Sequence, residues 1–179
     1  MNTVRALLDR AELPSGALHP LSGGMMGDVY RSGDWVVKTH PSPPPGLFPA
    51  EALGLRTLAD AGVRTPEIRY ADEDGVVMRY LSPGPADPTG LAETISILHG
   101  TEGAHYGWPN PVFLGRFALP PAAVGERWDL FWAESRIRPL IRVTAGTLGH
   151  LTERIETLLE TYSPPTEGPT LLHGDLWNG

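Results

Sequence analysis

Between positions 82 and 88 the chain reads Ser82-Pro83-Gly84-Pro85-Ala86-Asp87-Pro88, three prolines and a glycine in seven residues. Such a stretch continues neither a strand nor a helix, because each proline lacks an amide donor and fixes φ. It separates two different patterns. Residues 17–81 read mainly as short strands, and residues 89–162 read mainly as helices. The expected organisation is an α+β chain in two lobes. Residues 1–81 form a lobe with an antiparallel sheet plus helices, 82–88 a linker, and 89–179 a mainly helical lobe.

Within the first lobe, Val4, Leu7, Leu8 and Ala11 fall at i, i+3, i+4 and i+7, one face of a short helix that Pro14 and Gly16 end. Asp28 to Arg31 and Asp34 to Lys38 flank a Ser32-Gly33 turn, a hairpin signal. A proline-rich loop, Pro41 to Pro45, leads to a helical period over 47–61, with Gly62 capping it. Glu67 to Ala71 and Val76 to Leu81 form a second hairpin across Asp72-Glu73-Asp74-Gly75. After the linker, Leu91, Ile95 and Leu98 share a helix face ending at Gly100. Residues 101–125 read as loop. Trp128, Phe131 and Trp132 open a helix that Pro139 should stop or kink. Leu151 to Tyr162 gives a third helix, and Leu171-Leu172 reads as a short buried strand.

Composition narrows the function. Fourteen basic against 21 acidic residues leave a net charge of −7. An acidic chain without basic runs is a poor partner for nucleic acid or an anionic membrane. The absence of cysteine excludes disulfides, thiolate metal sites and cysteine nucleophiles. The first ten residues carry charges where a signal peptide needs its apolar centre, and no apolar run suits a bilayer, so a cytoplasmic location is expected. Of the 14 basic residues only Lys38 is a lysine. Arginine does not replace lysine where a compact point charge is needed.

Three features of the first lobe suit one task. Ser22 to Gly27, with Gly23, Gly24 and Gly27, is a glycine-rich turn able to bring backbone N–H groups against phosphates; it also reads as an ordinary hairpin turn. Lys38 ends the following strand, where a lysine would reach phosphates; it also reads as a solvated strand end. Glu51 lies on the apolar face of the next helix, where a charge needs a partner; it also reads as a rim carboxylate. Glycine-rich turn, strand lysine and helix glutamate, in that order, form the nucleotide-holding half of a kinase. At the other end, His173-Gly174-Asp175 breaks the aliphatic pattern with a polar loop. A kinase catalytic loop is built this way, its carboxylate orienting an attacking hydroxyl and accepting its proton.

With these pieces together the chain resembles the fructosamine (ketosamine) kinases, relatives of the aminoglycoside phosphotransferases with a protein-kinase-like fold. The resemblance rests on Gly23-Gly24 with Val29-Tyr30-Arg31, on Glu51 to Leu55, and on Tyr106-Gly107-Trp108. It rests further on Trp128 to Phe131 with Arg136-Ile137-Arg138-Pro139, and on Leu172 to Gly179. It implies a two-lobed fold with ATP between the lobes and Mg2+ as the accompanying ion. Lys38 would hold phosphates and pair with Glu51. Met78 to Leu81 would be the hinge, with backbone groups of Arg79 and Leu81 facing adenine. Asp175 would be the catalytic base, with His173 and Trp177 beside the acceptor. That acceptor would be a small ketosamine or a glycated protein lysine.

The sequence also departs from the family. Asp28 sets a carboxylate beside the phosphate loop, which is unhelpful unless it points away. The family's metal-binding Asn and Asp would lie beyond Gly179, so the helical lobe is expected to be incomplete and the 179-residue chain is not expected to turn over alone. Two other readings stay open: a non-catalytic nucleotide-binding or pseudokinase module, and a kinase for an aminoglycoside or choline-like amine.

Overall fold

The computed structural model describes residues 1–21, 27–122, 127–162 and 167–174. Two compact units emerge. One is Met1–Leu98 with Gly115–Phe117, and the other is His99–Leu114 with Ala118–Gly174.

The first unit begins with helix α1 (Asn2–Arg10). Its five strands are β1 (His19–Leu21), β2 (Asp28–Ser32), β3 (Trp35–Thr39), β4 (Ile68–Asp72) and β5 (Gly75–Arg79), with helix α2 (Leu47–Asp60) between β3 and β4. They form one sheet in the order β1-β2-β3-β5-β4, all neighbours antiparallel. The two expected hairpins and the two expected helices are therefore present. Side chains alternate between the faces of a strand. Val37 of β3 and Val77 of β5 point towards α1 and join Val4, Leu7, Leu8 and Ala11 in the core. The neighbouring Val76 is also fully buried. It lies on the opposite face, where α2 packs along β4 and β5. Both faces are thus covered, which explains why Val76-Val77 is an unbroken apolar pair rather than an alternating one.

Both helices end by the same device. In α2 the N–H of Val63 donates to the Leu58 carbonyl at 3.0 Å and that of Gly62 to Ala59 at 2.9 Å. Gly62 has φ +93°, the left-handed backbone this motif requires. In α1 the N–H of Leu13 donates to Leu8 at 2.9 Å and that of Glu12 to Asp9 at 3.0 Å. Here the left-handed position, φ +59°, is occupied by Glu12 rather than glycine.

The acidic turn after β4 fastens these helices to the sheet. Asp72 accepts from Arg10 and, at 2.9 Å, from the Tyr70 hydroxyl. Asp74 accepts from the other Arg10 nitrogen at 2.8 Å, and Glu73 accepts the Gly46 N–H at the start of α2 at 2.6 Å. Hydrogen bonding to Asp74 raises the Arg10 pKa, and hydrogen bonding to Asp72 raises that of Tyr70.

Helix α3 (Pro88–Gly100) starts directly from the proline-rich stretch. Asp87 caps it, its carboxylate accepting the Gly90 N–H at 2.9 Å, with Pro88 in the first turn, where a missing N–H costs nothing.

The second unit departs further from expectation. Residues 101–125 are not all loop, because β6 (Val112–Leu114) pairs with β7 (Phe117–Leu119). Pro139 neither stops the helix nor leaves it plain. Helix α4 (Trp128–Trp132) passes into a π-helical turn, Ala133–Ile137, and continues as α5 (Arg138–Leu148) with Pro139 in its first turn. The π turn absorbs the proline. The Ser135 carbonyl, which an amide at position 139 would meet in a plain α-helix, instead accepts the Arg136 guanidinium at 2.8 Å. A short 3-10 turn, Gly149–Leu151, leads to α6 (Thr152–Thr161). Trp128 stacks on Trp132 at 5.3 Å, and Tyr162 meets Trp128 edge-on at 6.2 Å. Arg138 joins α5 to α6 through Glu156 at 2.8 Å and also pairs with Glu134.

Leu171-Leu172 is not a buried strand. Leu172 is 65% exposed, and the pairing nearby is a single bridge between Glu102 and Thr170. Among the described residues, no helix is long and apolar enough to cross a membrane.

Candidate active site

The site grows from the register of β3. Val36 and Lys38 share a face and stand opposite Arg31 and Val29 of β2 on one side and Met78 and Val76 of β5 on the other. This is the face that carries α2. Glu51 sits one turn into that helix, on the same side as the buried Phe48 and Ala52. The Lys38 ammonium donates to both Glu51 carboxylate oxygens at 2.9 Å. Each side chain is 26% exposed, so the pair is shielded from water yet open on one side. A carboxylate there holds the ammonium over the strand and compensates its charge, while the remaining ammonium donor stays available to an anion.

Gly27 precedes β2 with φ +117°, and a Cβ at this position would run into the Thr39 carbonyl of the neighbouring strand. Glycine is therefore required for two reasons, backbone conformation and close approach. Asp28 pairs with Thr39 in register, which by alternation turns it to the α1 face, away from Lys38, and it is exposed. The carboxylate that seemed ill-placed in the sequence does not oppose a phosphate on the Lys38 side.

Met78 lies on the Lys38 face, paired with Val36. The N–H of Arg79 is donated to the Glu67 carbonyl at 2.8 Å, and Leu81 is exposed. Gly23, Gly24, Asp175 and Trp177 lie outside the described residues. His173 is exposed and follows a stretch bordering a cavity of about 510 Å³ in the second unit, lined in part by His99, Glu102, Glu167 and Thr170. Among the described residues there is no group of three or more His, Asp or Glu placed to hold a metal ion.

Other residues of the sequence motifs turn out to serve packing. Gly107, φ +97°, leaves no room for a Cβ beside Ala122 and Phe131. Arg136 lies over the Phe131 ring at 4.9 Å and donates to the Pro120 carbonyl at 3.2 Å, and its burial lowers its pKa. The sequence reading overlooked Val36. Its signal was available, since a residue two before Lys38 on a strand must share its face.

An antiparallel sheet whose strand lysine is paired to a helix glutamate is the nucleotide-holding arrangement of kinase-like proteins. A family model described as fructosamine kinase matches residues 7–179, and the chain belongs to that family. It is 46% identical over 175 residues to a probable ketoamine kinase of Thermus thermophilus, covering 97% of this chain and 66% of that protein. It is 28% identical over 180 residues to a probable ketoamine kinase of Enterococcus faecium, covering 92% and 64%. A crystal structure from Thermobifida fusca, assigned as a fructosamine-3-kinase, matches with a TM-score of 0.81 at 25% identity, covering 98% of this chain and 67% of that one. The chain thus spans about two-thirds of the length of these relatives.

Proposed function

We propose that this chain carries the nucleotide site and part of the acceptor lobe of an ATP-dependent kinase. Its acceptor would be a hydroxyl of a ketosamine, free or formed on a protein lysine. The observation that carries this reading is the paired contact of Lys38 with both oxygens of Glu51 in a member of the fructosamine kinase family.

The residues present suit a nucleoside triphosphate. Lys38 offers a fixed positive charge, held in place by Glu51. Gly27 lets backbone approach closely where a side chain would block it. Val29, Val36 and Met78 give the same face an apolar surface for a purine ring. Because the Arg79 N–H is already bonded, adenine would meet Arg79 through its carbonyl, and Leu81 through its N–H. ATP, with Mg2+, would supply the phosphoryl group. Asp175 is assigned as the base that accepts the acceptor hydroxyl proton. Trp177 and His173 are assigned to the acceptor side, the indole offering its face to a sugar or to the neighbouring cationic amine.

The test has two arms. Calorimetry should find MgADP binding to the 179-residue chain that is lost in Lys38→Met. In a product extended to the relatives' length, phosphoryl transfer should favour fructosyl-lysine or ribulosyl-lysine over kanamycin and choline under matched ATP. Selective transfer to kanamycin would sink the ketosamine assignment.

A further inference from the structure

Beyond Val29 on β2, the next side chain on the Lys38 face is Arg31, directly across from Val36. Its guanidinium carbon lies 3.8 Å from the centroid of the Tyr80 ring, while its Nε donates to the Gly33 carbonyl at 2.8 Å. That second bond fixes the planar group over the ring. The opposite face carries the reciprocal arrangement. Arg79 lies over Trp35 at 4.9 Å and reaches the Asp34 carboxylate at 3.5 Å. Between the two stacks, the Tyr80 N–H donates to the Asp34 carbonyl at 2.8 Å. The β2–β3 hairpin therefore grips residues 79 and 80 on both faces, just before the proline-rich stretch.

We propose that Arg31 and Tyr80 form the outer wall of the nucleobase pocket, and that Arg31 is a positioning residue for the purine half of the nucleotide. This rests on reading the Lys38 face as the nucleotide site. A purine lying against Val36 and Val29 is bounded on one side by Lys38 and on the other by Arg31. The backbone that would hydrogen-bond its edge, the Arg79 carbonyl and the Leu81 N–H, flanks Tyr80 directly on either side. A Tyr80 held flat by the guanidinium fixes that backbone at one depth below Val36. Phosphates, gathered at the Lys38 end, gain nothing from this contact. Loss of the stack should therefore cost base recognition and leave phosphate recognition unchanged.

Calorimetric titration of the 179-residue chain with MgADP and with magnesium tripolyphosphate separates these halves. Arg31→Met and Tyr80→Leu should each weaken ADP roughly three- to thirtyfold, the range of a cation–aromatic contact. Both should leave tripolyphosphate binding unchanged. Tyr80→Phe keeps the ring and should bind ADP like the parent. The Arg31→Met/Tyr80→Leu double variant should be no weaker than the worse single one. Arg31→Lys, a milder change, should lie between the parent and Arg31→Met. Lys38→Met should lose both ligands. Parent-like ADP affinity in Arg31→Met, or equal weakening of ADP and tripolyphosphate, would overturn the wall while the Lys38 assignment stood. A parent chain that binds neither ligand would overturn both.

Discussion

Lys38 is a single charge held in two hydrogen bonds, and its environment decides what its loss should do. The pair is partly open to water, so removing the ammonium strands Glu51 less severely than in a sealed core. Lys38→Met should lower stability by no more than about 2 kcal/mol, between the costs of exposed and buried pairs. Nucleotide binding should be abolished, and a thermal melt beside a titration separates the two effects. A second residue acts only on stability. Glu12 occupies a left-handed backbone that costs a non-glycine residue roughly 1–2 kcal/mol. Its one ion pair, with Arg69 at 3.6 Å, is largely exposed. Glu12→Gly should raise the melting temperature by a few degrees, equivalent to about 0.5–1 kcal/mol; an unchanged or lower melting temperature would refute the strain. Lys38 and Glu51 were legible in the sequence because a strand period and a helix face each fix a direction. Glu12 was not, since nothing in Ala11-Glu12-Leu13 announces positive φ. For Asp28 the sequence left both directions open, because proximity along the chain does not say which face a strand residue takes; the register turns it away from Lys38.

At the scale of elements, the turn into β5 is a tight join between β3 and α1. A Cβ on Gly75 would fall 2.5 Å from the Lys38 carbonyl and 2.6 Å from the Leu7 Cδ1. The backbone atom cannot yield without moving β3. Gly75→Ala should therefore cost about 2–3 kcal/mol, the range of overpacked cores. It should also weaken nucleotide binding by shifting Lys38, which denaturant melts and calorimetry would report together. In the second unit the corresponding join is Arg136, whose guanidinium satisfies the carbonyl left by Pro139 and covers Phe131. Arg136→Ala should destabilise by roughly 1–3 kcal/mol, because a carbonyl loses its donor and a ring its cover. The hairpins and long helices could be read from the sequence because each repeats its period several times. The π turn could not, since one extra residue per turn is invisible in a pattern of apolar spacing. Strands β6 and β7 are too short to establish alternation. Leu171-Leu172 has the composition of a strand, but Leu172 is exposed and the pairing beside it is a single bridge.

For the whole molecule, the order of elements in the first unit was readable because its antiparallel neighbours are mostly sequential hairpins. The pairing of β3 with β5, which sets β5 between β3 and β4, was not, because it depends on how α2 crosses the sheet. The role of α1 follows from the same topology. Val4, Leu7 and Leu8 are each fully buried against the sheet. At roughly 1.5–3 kcal/mol per side chain, the three contribute about 4.5–9 kcal/mol as an upper estimate. That rivals the net stability of an ordinary domain, about 5–15 kcal/mol. Helix α1 packs on the face of β3 opposite the one that presents Lys38, and so backs the strand that carries the lysine. Terminal segments are commonly treated as expendable when a protein is trimmed for expression, tagged or immobilised. Here trimming the first 13 residues should yield a chain that no longer unfolds cooperatively and no longer holds nucleotide. The practical boundary of the nucleotide site therefore begins with the first helix, well before Arg31 and Lys38 in the chain.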